Sequence, residues 1–430
     1  MPKIVLIGAG SMVFAKRLIG DILTFPSLSD GTIALVDIDE EKLEVMAGVA
    51  RRMAEQAKTG TCIEASTDRR QVLSGADYVI ISIRVGGTDA VVKNHEIPLK
   101  YGVDHSVADT MGPGGVFYFL LNGPAILEML RDVERLCPQA LVIQYTNPMA
   151  MNCWLANEAT KVRNVGLCHS VQGTAFQLAS YIGAPREEIA YWVAGINHMA
   201  WFLQFLWKGR DAYPLLWQTV ENPEIYARDA VRFEVLRYFG YFVTESTRHM
   251  SEYAPYFRRT PQLVQRFAPP SSRDLRNWNE WAIRRQERFQ EMKELVESGQ
   301  EIPFERTHEY CTYILNAIET NEPFCFNGNV RNTGLIPNLP PGCVVEVPCL
   351  AMRSGVHPCY VGDLPAELAA LNRSNIAVQE LAVKALLTRD RELVYRAVQL
   401  DPLTAATVSL PDIRKMVDEL FAAHAPLLTL

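Results

Sequence analysis

Residues 3–11 read KIVLIGAGS and residues 32–39 read TIALVDID, and these two stretches decide the fold. The first is a short, β-branched apolar run that ends in a glycine-rich turn, and a stretch compatible with a helix follows it to about Leu23. The second closes on Asp37 and is followed by a helical stretch over about residues 40–57. This repeated order of strand, turn and helix is typical of parallel strands joined by crossover helices.

Further strand-like runs continue the same order along the chain. They occur at residues 78–85 (YVIISIRV), 140–145 (ALVIQY) and 164–167, with helical segments between them. We therefore predict an α/β fold class, with a Rossmann-like, doubly wound parallel sheet over residues 1–190. Beyond this point aromatic and charged segments lead to a helical tail, which predicts a second, α+β domain over residues 191–430.

The composition excludes several classes of protein. The 430 residues are 48% hydrophobic and 21% charged, with a net charge of −7 and no Lys/Arg-rich run, so nucleic acid is not an expected partner. The opening strand-like run of five residues (KIVLI, 3–7) is too short for a signal peptide or a membrane span, so we expect a cytoplasmic protein without a membrane partner. Nine cysteines without CxxC spacing fit a reducing compartment.

The glycine-rich turn is a candidate dinucleotide site. Glycines such as Gly8 and Gly10, with Ser11, let the backbone approach a pyrophosphate at a helix N-terminus, and Asp37 could bind the ribose hydroxyls. The third glycine position is Val13, so the fingerprint is incomplete, and turn glycines without a ligand are the alternative. The acid at the end of the second strand favours NAD over NADP.

Asn147 follows another predicted strand, in the sequence Thr146-Asn147-Pro148. Open α/β sheets bind ligands at this edge, where an Asn amide could bridge the nicotinamide ribose and the hydroxyls of a substrate. Asn-Pro is also a common turn former, so a purely structural turn is the alternative.

Cys168 and His169 follow a short strand, and His198 comes thirty residues later. A thiolate and an imidazole are competent ligands for a divalent metal, but this spacing is not one of the usual paired ligand motifs. From these residues alone, a buried cysteine and a satisfied core histidine remain the simpler interpretation.

Two later segments are polar or aromatic enough to line a site. Residues 245–257 (ESTRHMSEYAPYF) are dense in Tyr, His and acids, although an aromatic cluster is usually part of a core. Residues 327–332 (NGNVRN) include Asn329 and Arg331, which suit sugar hydroxyls or an anion, with a solvated loop as the alternative.

Taken in order, these motifs resemble the NAD- and manganese-dependent glycosidases of glycoside hydrolase family four, most closely its bacterial α-galactosidase branch. The resemblance runs through essentially the whole chain. It is carried by IGAGS at 7–11, VDID at 36–39, IPLKYGV at 97–103, ADTMGPGG at 108–115, YTNPMAMN at 145–152, GLCHSVQGT at 166–174, AGINHMAW at 194–201, GYFVTES at 240–246, SEYAPYF at 251–257, GNVRNTGLI at 328–336 and VEVP at 345–348.

The resemblance implies a role for each candidate residue. Cys168 and His198 correspond to the protein ligands of a manganese ion, His169 to the acid that protonates the leaving oxygen, and Tyr253 to the base. Other positions are expected to bind the cofactor (Gly8, Gly10, Ser11, Asp37, Ile83, Arg84) or the carbohydrate substrate (Asn147, Asn329, Arg331). The family also implies a lactate/malate dehydrogenase-like architecture and a homodimer or homotetramer.

The implied reaction is a hydrolysis in which bound NAD oxidises the sugar at C3 and is later restored. The ketone makes the C2 proton acidic enough for Tyr253 to remove, provided that positive charge lowers the tyrosine pKa toward neutrality. The leaving group then departs, water adds and hydride returns, so there is no net oxidation. The paired carboxylates of ordinary glycosidases are accordingly not needed.

One departure from the family leaves the sugar open. Many members carry an Arg after the GPGG motif, where this chain has Leu121, while Arg84 and Arg331 supply positive charge elsewhere. An α-galactoside is the first hypothesis, and an α-glucoside, an α-glucuronide or galacturonide, or a sulfonated sugar is the alternative. A 2-hydroxy acid dehydrogenase is less favoured, because it leaves the CHS and GxNH motifs unexplained. A catalytically silent NAD sensor is a further alternative, which predicts no metal and no effect of changing Tyr253.

Overall fold

A computed structural model describes residues 1–270 and 277–428. Its centre is one mixed sheet in the order β3-β2-β1-β4-β5-β6-β10-β11-β7-β8-β9, with β12 paired to β11. The strands are β1 (Lys3–Ile7), β2 (Thr32–Val36), β3 (Cys62–Ser66), β4 (Tyr78–Ile81), β5 (Leu141–Gln144), β6 (Arg163–Gly166), β7 (Ile189–Ile196), β8 (Met199–Trp207), β9 (Arg210–Asp211), β10 (Phe324–Arg331), β11 (Val344–Met352) and β12 (Gly355–Pro358).

Helices cover both faces of this sheet and form the C-terminal tail. They are α1 (Phe14–Thr24), α2 (Glu40–Ala57), α3 (Gly87–Lys100), α4 (Gly112–Leu136), α5 (Met149–Ala159), α6 (Ser170–Tyr181), α7 (Tyr213–Thr219), α8 (Pro223–Arg228), α9 (Ala230–Phe239), α10 (Thr247–Tyr253), α11 (Pro261–Phe267), α12 (Trp278–Ser298), α13 (Tyr310–Thr320), α14 (Ala366–Thr388), α15 (Arg391–Leu400), α16 (Pro402–Ala405) and α17 (Leu410–His424). In the described part of the chain, no helix is both long and apolar enough to cross a membrane.

The first six strands are parallel and follow the order 3-2-1-4-5-6 of doubly wound dinucleotide-binding folds. Every residue of β4 and β5 is buried, because helices lie on both faces of a parallel sheet. The predicted α/β class and Rossmann-like sheet are confirmed. Since the strands run the same way, the residues that follow β1, β2, β4, β5 and β6 meet at one edge.

The remaining strands extend the same sheet in antiparallel fashion. Asn329 of β10 pairs with Gly166 of β6, and Glu346 of β11 pairs with Gly195 of β7. Because β10 also pairs with β11, placing Asn329 opposite Glu346, one row of residues crosses four strands. This row brings the segment after β6 close to the turn after β7. The sheet is continuous across residue 190, and the predicted division into two domains there stays a prediction.

The C-terminal helices return to the N-terminal half. His424 of α17 contacts Asn94 of α3, with 2.8 Å between its Nε2 and the amide oxygen. Asn372 of α14 accepts a 2.9 Å hydrogen bond from the Trp201 indole of β8. The tail thus joins the parallel and antiparallel parts of the fold.

Candidate active site

The glycine loop after β1 lies directly against the end of β2. Gly8 has φ +94°, and a Cβ there would lie 1.9 Å from the Ser82 carbonyl oxygen, so only glycine fits. The amide of Gly10 donates a 2.7 Å hydrogen bond to Asp37 Oδ2, while Asp37 Oδ1 accepts from Asp39 N at 3.0 Å. The loop and the acid therefore form one unit at the carboxyl edge, with Ser11 preceding α1.

The end of β4 contacts the end of β5 at the same edge. Ile83 N donates to Thr146 Oγ1 at 2.9 Å, and Arg84 Nε donates to Tyr118 OH at 3.0 Å. The structure thus places Ile83 beside the residue that precedes Asn147.

Asn147 is held from two directions. Its Nδ2 donates to Asp109 Oδ2 at 2.9 Å, and its carbonyl accepts from Asn122 Nδ2 at 3.1 Å; the Asn147–Pro148 peptide is cis. Burial alone would raise the pKa of Asp109, but hydrogen bonding and charge from His249 lower that pKa to about 2. Asn147 is therefore fixed by an ionised carboxylate.

Cys168 and His198 meet although thirty residues separate them in the sequence. Cys168 Sγ lies 3.1 Å from His198 Nε2, and His198 occupies the β7–β8 turn with φ +63°. Two ligands of one metal, with bonds of about 2.0–2.3 Å at a right angle, would lie roughly 3 Å apart, so this pair fits a shared cation. Within the described ranges no group of three or more His, Cys, Asp or Glu side chains could hold a metal, so other ligands would have to complete the shell.

Several buried polar atoms around this pair have no hydrogen-bond partner among the described residues. They are His198 Nδ1, Asn197 Nδ2, Ser170 Oγ, Asn329 Oδ1 and Glu346 Oε2. Each such atom costs about 1–3 kcal/mol when unpaired, so the fold provides polar groups that water or a polar ligand can satisfy.

Tyr253 ends α10 and is buried beside this pair, with its ring centroid 6.3 Å from that of His198. Burial raises the pKa of its hydroxyl well above the ordinary value, and the charges of Asp109 and Glu252 raise it further. Lowering this pKa toward neutrality therefore needs positive charge beyond that of the surrounding side chains.

His249 was not singled out by the sequence motifs, yet it lies at the centre of the carboxylates. Its Nδ1 is 2.5 Å from Glu245 Oε2, its Nε2 is 3.7 Å from Asp109 Oδ1, and its ring centroid is 4.5 Å from that of His198. Burial lowers the pKa of His249, but Glu245 and Asp109 more than reverse this and raise it well above the ordinary value. In the sequence, the only local sign of the His249–Glu245 pair is that the two residues are four positions apart.

His169 contacts a carboxylate that sequence reasoning missed. Its Nε2 lies 2.5 Å from Glu309 Oε2, and Glu309 Oε1 accepts a 2.5 Å hydrogen bond from Tyr145 OH. Glu309 belongs to no motif and is 140 residues from His169, so no local pattern could have found it.

Comparisons with known proteins identify the family. The model of the family 4 glycosyl hydrolases matches residues 3–184, and the model of their C-terminal domain matches residues 193–404. The chain belongs to glycosyl hydrolase family 4. The expected resemblance is confirmed.

This family 4 protein has similar relatives over nearly its whole length. It is 41% identical to an alpha-galactosidase of Bacillus subtilis, covering 99% of this chain and 98% of the relative. It is 38% identical to an alpha-galactosidase of Rhizobium meliloti, covering 98% and 88%.

Solved structures share the fold. A putative glucosidase, lplD, of Bacillus subtilis has a TM-score of 0.89 and 27% identity, covering 98% of this chain and 99% of that one. A 6-phospho-beta glucosidase of Thermotoga maritima, solved with manganese, NAD+ and glucose-6-phosphate, has a TM-score of 0.82 and 22% identity, with both chains fully covered. A Plasmodium falciparum malate dehydrogenase has a TM-score of 0.56 and 14% identity, covering 92% and 100%, which agrees with the expected dehydrogenase-like architecture.

Not every residue predicted to bind the substrate lies beside the Cys168–His198 pair. Asn329 is fully buried, where its Nδ2 donates to Glu346 Oε1 at 3.1 Å. Arg331 forms a surface ion pair with Glu158, 3.1 Å away, near the C-terminal end of α5. Asn147 lies just before the opposite, N-terminal end of α5. Because this helix has 11 residues, with a rise of about 1.5 Å each, its two ends are about 16 Å apart. The structure therefore does not bring Arg331 to the site.

Proposed function

We propose that the protein is an NAD- and Mn²⁺-dependent glycosidase that hydrolyses α-galactosides. The observation that carries the proposal is the pairing of Cys168 Sγ and His198 Nε2 at 3.1 Å, beside Tyr253. The glycine loop follows β1 of the same sheet. The α-galactosidase relatives, 41% and 38% identical, support the choice of sugar.

The residues fit both cofactors. Gly8, Gly10 and Ser11 would follow the NAD pyrophosphate, with Asp37 at the ribose and Ile83 and Arg84 at the neighbouring strand end. Cys168 and His198 would hold Mn²⁺, leaving the remaining positions to water and sugar hydroxyls. When bound, NAD would accept and return a hydride at sugar C3, and Mn²⁺ would polarise the adjacent sugar oxygens.

The side chains of the protein would carry the proton transfers. Asn147, fixed by Asp109, would orient a sugar hydroxyl. Tyr253 would take the C2 proton, and His169 would protonate the leaving oxygen. His249 would keep Asp109 and Glu245 ionised on either side of it.

One observation favours a second candidate, an α-galacturonide cleaved by the same residues. Arg84 follows the end of β4, and among the described residues its Nε donates a hydrogen bond to a hydroxyl, that of Tyr118, and to no carboxylate. Leu121, at the position where many family members carry Arg, is buried and apolar. A carboxylate on the sugar would then be recognised by Arg84.

We also propose where and how the enzyme works. A thiolate ligand at Cys168 requires reducing conditions, which supports a cytoplasmic enzyme. We propose further that the enzyme is a homodimer or homotetramer. Its substrate would be a small carbohydrate, and it would have no nucleic-acid or membrane partner.

A panel of 4-nitrophenyl glycosides tests the function. Hydrolysis of the α-galactoside is expected only when NAD, Mn²⁺ and a thiol reductant are all present. Hydrolysis that continues without NAD or metal would contradict the mechanism, and faster cleavage of the α-galacturonide would favour the second candidate.

A further inference from the structure

His169 is half-exposed, yet a buried carboxylate and two aromatic rings contact its ring. Its side chain is 48% exposed, whereas the Glu309 side chain that it contacts is completely buried. Burying a carboxylate is unfavourable unless hydrogen bonds replace its contacts with water, so the donors around Glu309 are what stabilise it in this position.

Three donors surround the Glu309 carboxylate. His169 Nε2 lies 2.5 Å from Oε2, Tyr145 OH donates to Oε1 at 2.5 Å, and Cys311 N donates to Oε1 at 3.4 Å as part of the N-terminal cap of α13. Only the last of these belongs to an ordinary helix cap. The other two direct the carboxylate toward the site.

Aromatic rings fix the plane of the histidine. The Tyr145 ring stacks on His169 at 6.0 Å with an interplanar angle of 26°, and the Tyr310 ring meets it edge-on at 6.0 Å. Tyr310 is itself anchored, because its hydroxyl donates to the Cys168 carbonyl. The ring of His169 is therefore held at Nε2 and on two sides, and among the described residues no hydrogen bond engages Nδ1.

We propose that Glu309 is the positioning residue of His169: it binds Nε2, so that Nδ1 is the atom that delivers a proton to the glycosidic oxygen. This inference rests on the proposed function. In the step, the Nδ1–H bond breaks, an O–H bond forms on the leaving oxygen, and the electron pair of the C1–O bond moves to that oxygen. His169 keeps the Nε2 proton that it shares with Glu309, and the hydrogen bond at one nitrogen decides the role of the other.

Leaving-group dependence in Glu309→Gln tests the proposal. A nitrophenolate leaves without a proton, whereas an alkoxide needs one, so kcat/KM should fall about 100-fold or more for methyl α-galactoside and less than about 3-fold for 4-nitrophenyl α-galactoside. Glu319→Gln is the matched control, because Glu319 lies on α13 and also accepts from a tyrosine, Tyr78, at 2.6 Å. It should leave both values unchanged. An equal loss on both substrates in Glu309→Gln would overturn the positioning role and leave the proposed function intact.

A measurement on the unmodified protein keeps the test independent of folding and of activity. In ¹⁵N-histidine NMR spectra, with His169 assigned through His169→Gln, the neutral ring should carry its proton on Nε2. A proton on Nδ1 would overturn the proposal. If the wild type cleaves neither galactoside, the proposed function fails, while the ring spectrum still decides whether Glu309 holds Nε2.

Discussion

Tyr253 is a buried hydroxyl among carboxylates, and its neighbours make ionisation harder. Burial and the charges of Asp109 and Glu252 keep the pKa of the tyrosine well above its ordinary value. A cation held by Cys168 and His198 would act in the opposite direction. At the scale of single residues, the base and the two ligands are therefore expected to depend on one another.

Tyr253→Phe should remove the proton acceptor while preserving the packing of the ring. We expect kcat to fall about 10²–10⁴-fold, because a positioned base contributes rate factors of that size. Incorporation of solvent deuterium at sugar C2, followed by NMR, should stop. Tyr256→Phe, at a half-exposed ring nearby, is the control, and continued exchange in Tyr253→Phe would assign the base to another group.

Cys168→Ser and His198→Ala should each weaken Mn²⁺ binding about 100-fold or more, since even outer residues of metal sites contribute factors of 10–100. Titration followed by electron paramagnetic resonance of Mn²⁺ measures this directly. Cys62→Ser is the matched control, because Cys62 is an exposed free thiol on β3. Unchanged binding in both variants would remove the pair as ligands.

At the scale of elements, the end of β6 determines where Cys168 lies. Gly166 closes this strand and pairs with Asn329, and α5 packs closely over it. A Cβ at Gly166 would lie 2.4 Å from Met149 Sδ and 2.6 Å from Cys153 Sγ. The strand can approach the helix only because residue 166 has no side chain.

Gly166→Ala should destabilise the protein by about 1–3 kcal/mol through overpacking, and should weaken Mn²⁺ binding by displacing the following residues. Gly173→Ala provides the contrast, because a Cβ at this exposed position of α6 meets nothing within 4 Å. That change should stabilise the helix by about 0.5–1 kcal/mol. Urea unfolding of both variants measures the difference, and equal stability would contradict the packing argument.

At the scale of the whole molecule, two buried histidines lie where the C-terminal helices meet the N-terminal half. Burial lowers the pKa of His424, on α17, to about 4. Burial also lowers the pKa of His105, which precedes α4 and lies near Asp401 at the start of α16, to about 4. Both rings are therefore neutral in the folded protein near pH 7.

Acid should consequently loosen this junction. In the unfolded chain each histidine has the ordinary pKa of about 6.5, whereas in the folded chain its pKa is about 4. The free energy of unfolding therefore keeps this contribution above pH 6.5 and loses it as the pH falls from 6.5 toward 4. For His105 the loss is about 2 kcal/mol at pH 5. Urea unfolding at pH 7 and pH 5 should show a smaller difference in His105→Gln than in the wild type. His357→Gln, at an exposed site, should behave as the wild type; identical pH dependence in all three proteins would contradict the assignment.

Much of the fold was predictable because its signals are local. The runs at residues 3–7, 32–36 and 78–81 are buried and mainly apolar after at most one polar first residue, as is typical of parallel strands covered on both faces, and α2 begins and ends at the predicted Glu40 and Ala57. The strand Cys62–Ser66 was missed, because it lies at the sheet edge and has no fully buried residue. The paired arrangement of Cys168 and His198 was suggested by family motifs, not by their spacing.

The sequence by itself determined the parallel sheet, the glycine loop with Asp37, and the membership of the family, since each depends on residue order over short distances. Only the tertiary structure decided that His169 binds Glu309, that His249 lies between Glu245 and Asp109, and that Arg331 faces away from the site. The physical reason is that these contacts join residues brought together by strand pairing and helix packing. A carboxylate 140 residues away leaves no periodicity or spacing around the histidine that it orients.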